Sequence, residues 1–272
     1  MTMPPAPQPQ GHPPFTRRET DPALAVRDLA VSYGSRRAVD ACTFHVPRGS
    51  IAGIIGPNGS GKTTLLKACL GLVPTDSGSV LFGRRPLAQC RRDIAYMPQR
   101  ESVDWDFPIS ALDVVAMGAH VRIGWLGMRT RAAREIALAE MRTLGIADLA
   151  DRAVGALSGG QQQRVFLARA LAQGASTYIM DEPLASVDAA SARIVIDALH
   201  GLRKAGRTVV MVHHDLDMAR EMFDWAVLLG GRVICAGPTD EVMSESNLRA
   251  AYGGRLLVTR SSTRQETADV GA

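Results

Sequence analysis

The 272-residue sequence contains no apolar run that approaches the ~18 residues needed to cross a bilayer. Its longest apolar stretches, such as Ile51–Ile55 and Val209–Val212, have the length and residue types of buried strands. If the chain serves a membrane, it does so from outside the bilayer. The first residues hold no apolar h-region, so no secretory signal is expected. Cysteine is sparse: Cys42, Cys69, Cys90 and Cys235 lie far apart, form no CxxC pair and supply no small-domain disulfide framework. They read as reduced, buried or half-buried thiols of a cytosolic protein. A surplus of one charge is also missing. The net charge of +4 and pI of about 9.1 are too mild to call for a nucleic-acid partner. A protein held under an anionic membrane surface would carry the same excess. No internal repeat is present.

What is there is an ordinary globular composition, 46% hydrophobic and 21% charged, enough for one substantial core or two small ones. Residues 1–22 hold seven of the fifteen prolines and read as a disordered, PPII-biased tail. Residues 259–272 read as a second flexible tail, which leaves 23–258 as the folded domain. Leu24–Tyr33 and Ala38–Val46 are predicted strands joined by a Gly-Ser turn. Ser50–Ile55 is a buried strand, and Lys62–Leu70 a helix closed by Gly71. Ser79–Phe82 and Ile94–Met97 are further short strands. Ser110–Asp113 is a capping-box pattern, with Asp113 reaching back to Ser110. It opens a helical stretch that includes Thr130–Leu144 and 160–173, so about 100–160 reads as a helical insert. Strand Thr177–Met180, helix Ala189–Lys204 and strand Thr208–Val212 then alternate. Trp225–Leu229 and Arg232–Ala236 form a hairpin around Gly230-Gly231. The alternation argues for a mostly parallel sheet carrying helices.

Residues 56–64 read GPNGSGKTT, which fits G-x-x-x-x-G-K-[ST] between a buried strand and a helix. The loop Gly56, Pro57, Asn58, Gly59, Ser60, Gly61, Lys62, Thr63 and Thr64 can wrap phosphates with backbone N–H groups, aided by the helix dipole. Lys62 supplies a point charge to the β/γ-phosphates, Thr63 a hydroxyl for Mg²⁺, and Thr64 reaches the α-phosphate. A second acidic site closes another buried strand in TYIMDEP. Asp181 is placed to organise the Mg²⁺ shell. Glu182 points to the opposite side of an extended chain and can deprotonate the attacking water. The bland alternative is a solvated acidic strand end. Together these motifs describe a P-loop NTPase. Residues 157–163, LSGGQQQ, add a second helix N-terminus with exposed amides, which by itself is also a plain turn and N-cap.

With LSGGQ downstream of GPNGSGKTT, the sequence resembles the ATP-binding cassette family, the nucleotide-binding subunits of ABC transporters, over about residues 24–240. The resemblance implies an α/β fold: a P-loop NTPase (ABC ATPase) core with a mixed sheet, an antiparallel β subdomain and a helical subdomain. It implies ATP and Mg²⁺ as cofactors, and a homodimer in which the Ser158, Gly159, Gly160 and Gln161 signature of one subunit caps the γ-phosphate held by the other. By the same resemblance, Tyr33 stacks on adenine, although a core or edge tyrosine is the alternative. Gln99 joins the Mg²⁺/water shell, Asp188 couples the two sites across the dimer, and His214 contacts the γ-phosphate. The His213-His214-Asp215 run raises a metal-site idea, but neighbours on an extended chain point opposite ways and chelate poorly.

The run QRESVDWDFP after Met97-Pro98, with DVV and MG beyond it, resembles the ATPases of manganese, zinc and iron(-chelate) importers. HHDL and Phe223–Leu229 resemble that subgroup too. The resemblance implies an integral membrane permease partner that docks on the helical insert. It also implies an extracytoplasmic metal-binding protein working through that permease, and a place on the inner face of the plasma membrane. Trp105 and Phe107 read as apolar docking anchors rimmed by Asp104 and Asp106, or as core of the insert. Asp104, Asp106 and His120 as direct ligands of the cargo metal is a further alternative. An importer for haem or a siderophore is an alternative substrate reading, and a soluble ABC ATPase acting on DNA or ribosomes an alternative class.

Overall fold

The computed structural model describes residues 21–253 other than 104, 106, 124–129 and 186. The elements run β1 (Leu24–Tyr33), β2 (Arg36–Val46), β3 (Ile51–Ile55), α1 (Lys62–Cys69), β4 (Ser77–Phe82), β5 (Arg85–Pro86), α2 (Leu87–Cys90) and β6 (Ile94–Met97). Then come α3 (Ala111–Ile123), α4 (Thr130–Thr143), α5 (Gly159–Ala172), β7 (Thr177–Asp181), α6 (Ala189–Lys204) and β8 (Thr208–Val212). The chain continues through α7 (Leu216–Met222), β9 (Trp225–Leu229), β10 (Val233–Pro238), α8 (Thr239–Val242) and α9 (Glu245–Tyr252). Most expected elements are found within two residues of their predicted ends, as frayed or hydrogen-bond-extended termini allow. The short β5, α2, α7, α8 and α9 had no prediction, since a segment of two to eight residues shows too little periodicity to register.

Two sheets form. An antiparallel sheet has the order β2-β1-β4-β5, and a mixed six-stranded sheet the order β10-β9-β3-β8-β7-β6. In the mixed sheet β9, β3, β8, β7 and β6 pair in parallel and only β10 runs antiparallel. Every residue of β3, β7 and β8 is buried. Such strands are covered on both faces, which explains their unbroken apolar runs. One core lies between the antiparallel sheet, α1 and one face of the mixed sheet, around Val26, Leu29, Val39, Leu65, Leu66 and Ile54. The other joins the opposite face of the mixed sheet to the helical insert.

The insert packs through small residues. On α4 the fully buried Ala133, Ala137 and Met141 follow helical spacing, one apolar stripe facing inward that Leu144 continues just past the helix end. Ser110 caps α3: its hydroxyl accepts from Asp113 N at 3.1 Å and donates to Asp113 Oδ2 at 2.6 Å. Helices α3 and α5 touch at Gly118, where a Cβ would overlap the Arg169 carbonyl. In an isolated helix, Gly118→Ala would gain roughly 1 kcal/mol of propensity. Here we expect a net loss of about 1–3 kcal/mol from overpacking, read as a lowered thermal midpoint. A raised midpoint would show that the two helices do not pack at this glycine.

Candidate functional site

Strands β3, β8, β7 and β6 lie side by side and parallel, so their carboxyl ends meet at one edge of the sheet. That edge is where open α/β sheets bind ligands. Each strand delivers a different loop there. β3 leads into residues 56–64, β8 into His213 and His214, β7 into Asp181 and Glu182, and β6 into Gln99.

The first loop needs glycine at three of its positions, Gly59 among them because its φ is 79°. Gly61 has φ of 93°, and a Cβ on it would overlap the Ala38 carbonyl. A Cβ on Gly56 would overlap the Leu229 carbonyl. Lys62 is buried, and its Nζ donates to the carbonyls of Gly56 and Pro57, both at 2.9 Å. Burial lowers the pKa of this ammonium, while Glu182 and Asp181 act to raise it. A buried cation with carboxylates near and a backbone cradle around it suits a polyphosphate.

Thr63 Oγ1 donates to Asp181 Oδ1 at 3.1 Å, tying the first turn of α1 to the end of β7. Asp181 is wholly buried, and its Oδ2 has no hydrogen-bond partner. Burial raises its pKa, the Thr63 hydroxyl lowers it, Glu182 raises it, and Lys67 and Lys62 lower it. An unpartnered buried carboxylate oxygen is costly. Beside a threonine hydroxyl it is the donor set that a hard divalent cation satisfies.

Glu182 departs from expectation. It is not extended but left-handed, with φ of 52°, a strain of order 1–3 kcal/mol for a residue with a Cβ. The chain therefore leaves β7 at Glu182 and turns through Pro183, with Ala185 N donating to the Glu182 carbonyl at 3.1 Å. The Glu182 carboxylate lies 3.8 Å from His214 Nδ1, the histidine side chain being half exposed. These two groups face the loop edge together, whereas His213 is buried and packs edge-on against Phe223 at 6.2 Å. Burial foremost lowers the His213 pKa, His214 adds to this, and Asp215 opposes it. Asp215 caps α7, its Oδ1 accepting from Asp217 N at 2.9 Å and Met218 N at 3.1 Å. The VHHD run is thus divided between core, site edge and helix cap. Among the described residues no group of three His, Cys, Asp or Glu is placed to hold a metal.

Tyr33 ends β1 with 52% of its surface exposed, which excludes a core tyrosine and leaves an edge tyrosine whose ring is open to stacking. Gln99 is half-buried just beyond β6. Ser158 caps α5 in a full capping box with Gln161: Ser158 N donates to Gln161 Oε1 at 2.9 Å and Gln161 N to Ser158 Oγ at 3.4 Å. A Cβ on Gly160 would meet Val187 and Asp188 Oδ2 at 3.4 and 3.6 Å. Asp188 caps α6, with Oδ1 accepting from Ser191 N at 2.9 Å and Oδ2 from Ser191 Oγ at 2.8 Å. These bonds hold its pKa below the usual carboxylate range. Among the described residues no hydrogen bond joins 158–161 to the 56–64 loop.

Three residues that sequence reasoning passed over bind these loops together. Arg100 Nε donates to Gln162 Oε1 at 2.9 Å, and the Arg100 guanidinium lies against Gly159. Gln163 Nε2 donates to the Glu182 carbonyl at 3.0 Å. The run of three glutamines was the available signal, since Gln162 and Gln163 are polar yet buried. Trp105 is half-buried. Its Nε1 donates to the Arg100 carbonyl at 3.0 Å, and its ring meets Phe166 at 5.0 Å, so it is core of the insert. Phe107 is 61% exposed, and Met117 and Val121 share an exposed face of α3. Asp104 and Asp106 lie outside the described residues.

The family described as ABC transporter matches residues 39–185. The manganese transport system ATP-binding protein of Bacillus subtilis is 48% identical over 239 residues, covering 88% of this chain and 96% of its own length. The zinc transport system ATP-binding protein of Treponema pallidum is 45% identical over 240 residues, 87% of this chain and 89% of its own. Among solved structures, a chain of a metal-chelate type ABC transporter in an inward-facing conformation superposes with a TM-score of 0.73 at 27% identity, covering 85% of this chain and 89% of its own. An ATP-binding cassette of an ABC transporter in its ADP conformation gives 0.70 at 25% identity, over 86% and 99%. With a family model matching more than half of its length and relatives at 45–48% identity over nearly nine-tenths of it, the chain belongs to the ABC transporter family as an ATP-binding subunit.

Proposed function

We propose that this chain hydrolyses ATP to energise an importer of divalent transition metal ions, of the manganese, zinc or iron kind. The observation that carries the enzymatic part is the meeting of Lys62, Thr63, Asp181, Glu182 and His214 at one sheet edge. The metal cargo is supported by the relatives, which are ATP-binding proteins of manganese and zinc transport systems.

Lys62 and the loop amides hold the β- and γ-phosphates and withdraw charge from them. Thr63 and Asp181 would hold Mg²⁺, with Gln99 reaching the same shell. When bound, the ion neutralises charge developing on the phosphate oxygens. Glu182 accepts a proton from the attacking water, and His214, beside it, donates toward the γ-phosphate. Tyr33 stacks on the adenine. Ser158, Gly159, Gly160 and Gln161 present an anion-favouring helix start that makes no bond to the 56–64 loop of its own chain. A head-to-tail homodimer gives that surface its phosphate, with Asp188 near the seam.

No helix among the described residues is long and apolar enough to cross a membrane. The relatives are ATP-binding proteins of transport systems, which supports a separate membrane permease that supplies the pore and an extracytoplasmic metal-binding protein that delivers the cargo to it. Among the described residues, Phe107, Met117 and Val121 are exposed apolar residues of the insert on which such a partner can rest.

Glu182→Gln should bind ATP, accumulate as a dimer and lose turnover by about 10²–10⁴-fold. Full ATPase activity in this variant would refute the role given to Glu182. Phe107→Ala should leave ATP hydrolysis by the isolated chain intact while metal uptake in cells falls. Trp105 is unsuited to this test because it packs on Phe166. Cells lacking the chain should lose uptake of Mn, Zn or Fe when the three are measured together. Unchanged uptake of all three would sink the metal assignment and leave the haem or siderophore alternative.

A further inference from the structure

Each of the three glutamines that open α5 makes a different connection. Gln161 closes the capping box on Ser158. Gln162 accepts from Arg100 and donates to the Val154 carbonyl at 3.1 Å. Gln163 donates to the backbone carbonyl of Glu182 at 3.0 Å. It is 4% exposed. A carbonyl oxygen only accepts, so the Gln163 amide must present its NH₂ group there.

Glu182 stands where the chain leaves β7 in a left-handed conformation that residues with a Cβ avoid. The direction of its carboxylate follows from that backbone. Two donors hold the Glu182 carbonyl. One is Ala185 N at 3.1 Å, which belongs to the same turn. The other, Gln163, arrives from α5, the helix that starts with the signature residues. α5 is packed in turn on α3 at Gly118 and tied to Arg100 through Gln162.

We propose that Gln163 is a positioning residue for hydrolysis, anchoring the strained Glu182 peptide to the signature helix of the same subunit. It touches no reacting atom and acts through Glu182. The Glu182 carboxylate is then aimed only while α5 sits against the end of β7, so a shift of the helical insert reaches the general base directly. The proposal rests on Glu182 being that base.

Gln163→Met keeps the length and buried apolar stem but has no N–H to give. In the full-length chain we expect ATP affinity and KM within about twofold of the parent. The kcat should fall about ten- to a hundred-fold, the scale of a general base displaced by about 1 Å. In a Glu182→Gln background the same change should cost nothing further, because both act through one group. Gln163→Glu, whose carboxylate can only accept, should fall at least as far. It serves as the test if the methionine variant does not fold. A folded Gln163→Met with kcat within about twofold of the parent would overturn the proposal, as would a full additional loss in the Glu182→Gln background. A parent chain with no ATPase activity would instead overturn the assignment of Glu182 itself.

Discussion

The parallel pairing of β3, β8, β7 and β6 is the constraint on which everything else depends. Parallel strands in register put their carboxyl ends on one line, and their crossovers must run through helices on the faces. Four loops that are distant in sequence therefore converge without any contact between them being specified locally. The Thr63–Asp181 hydrogen bond crosses 118 positions of sequence and is made because β3 and β7 both flank β8.

Convergence places several polar groups where water does not reach, and the structure deals with each differently. Lys62 is answered by backbone carbonyls, and the Glu182 carbonyl by Gln163. One Asp181 oxygen is answered by nothing within the protein. Buried polar atoms left so are concentrated at sites that act on something else. The contrast with His213 is instructive. It too is buried and its Nε2 also lacks a partner, yet its ring packs edge-on against Phe223 in the core, beside the His214 ring at 5.5 Å. Burial of a titratable group marks function only where neighbouring groups aim at the same space.

The signature helix is the mechanical centre of the subunit. Its first turn is capped by its own Ser158, its second and third glutamines reach two other loops, and its far side packs on α3 through Gly118. Trp105 joins this assembly from the loop after Gln99, through Arg100 and Phe166. What looked in sequence like a surface anchor is the wedge that fixes the loop, while Phe107 beside it is left outside. The two aromatics differ in their contacts: Trp105 is held by the Arg100 carbonyl and the Phe166 ring, while Phe107 is 61% exposed.

The loop 56–64, the aspartate and glutamate closing TYIMDE, and the start of α5 were legible because each is a local device. Glycines, a lysine and a capping serine at fixed spacing have the same meaning wherever they occur. The long strands and helices were legible from period and length, and the short elements β5, α2 and α7 were not. The left-handed turn at Glu182, the division of His213, His214 and Asp215 among three jobs, and the partners of Arg100, Gln162 and Gln163 were invisible. Each depends on which strand or helix lies across the way. By itself the sequence determined which residues could handle phosphate and that a buried parallel sheet would carry them. Only the tertiary structure decided which of those groups meet, because hydrogen bonds and burial between distant segments are set by strand order and helix packing rather than by neighbours in the chain.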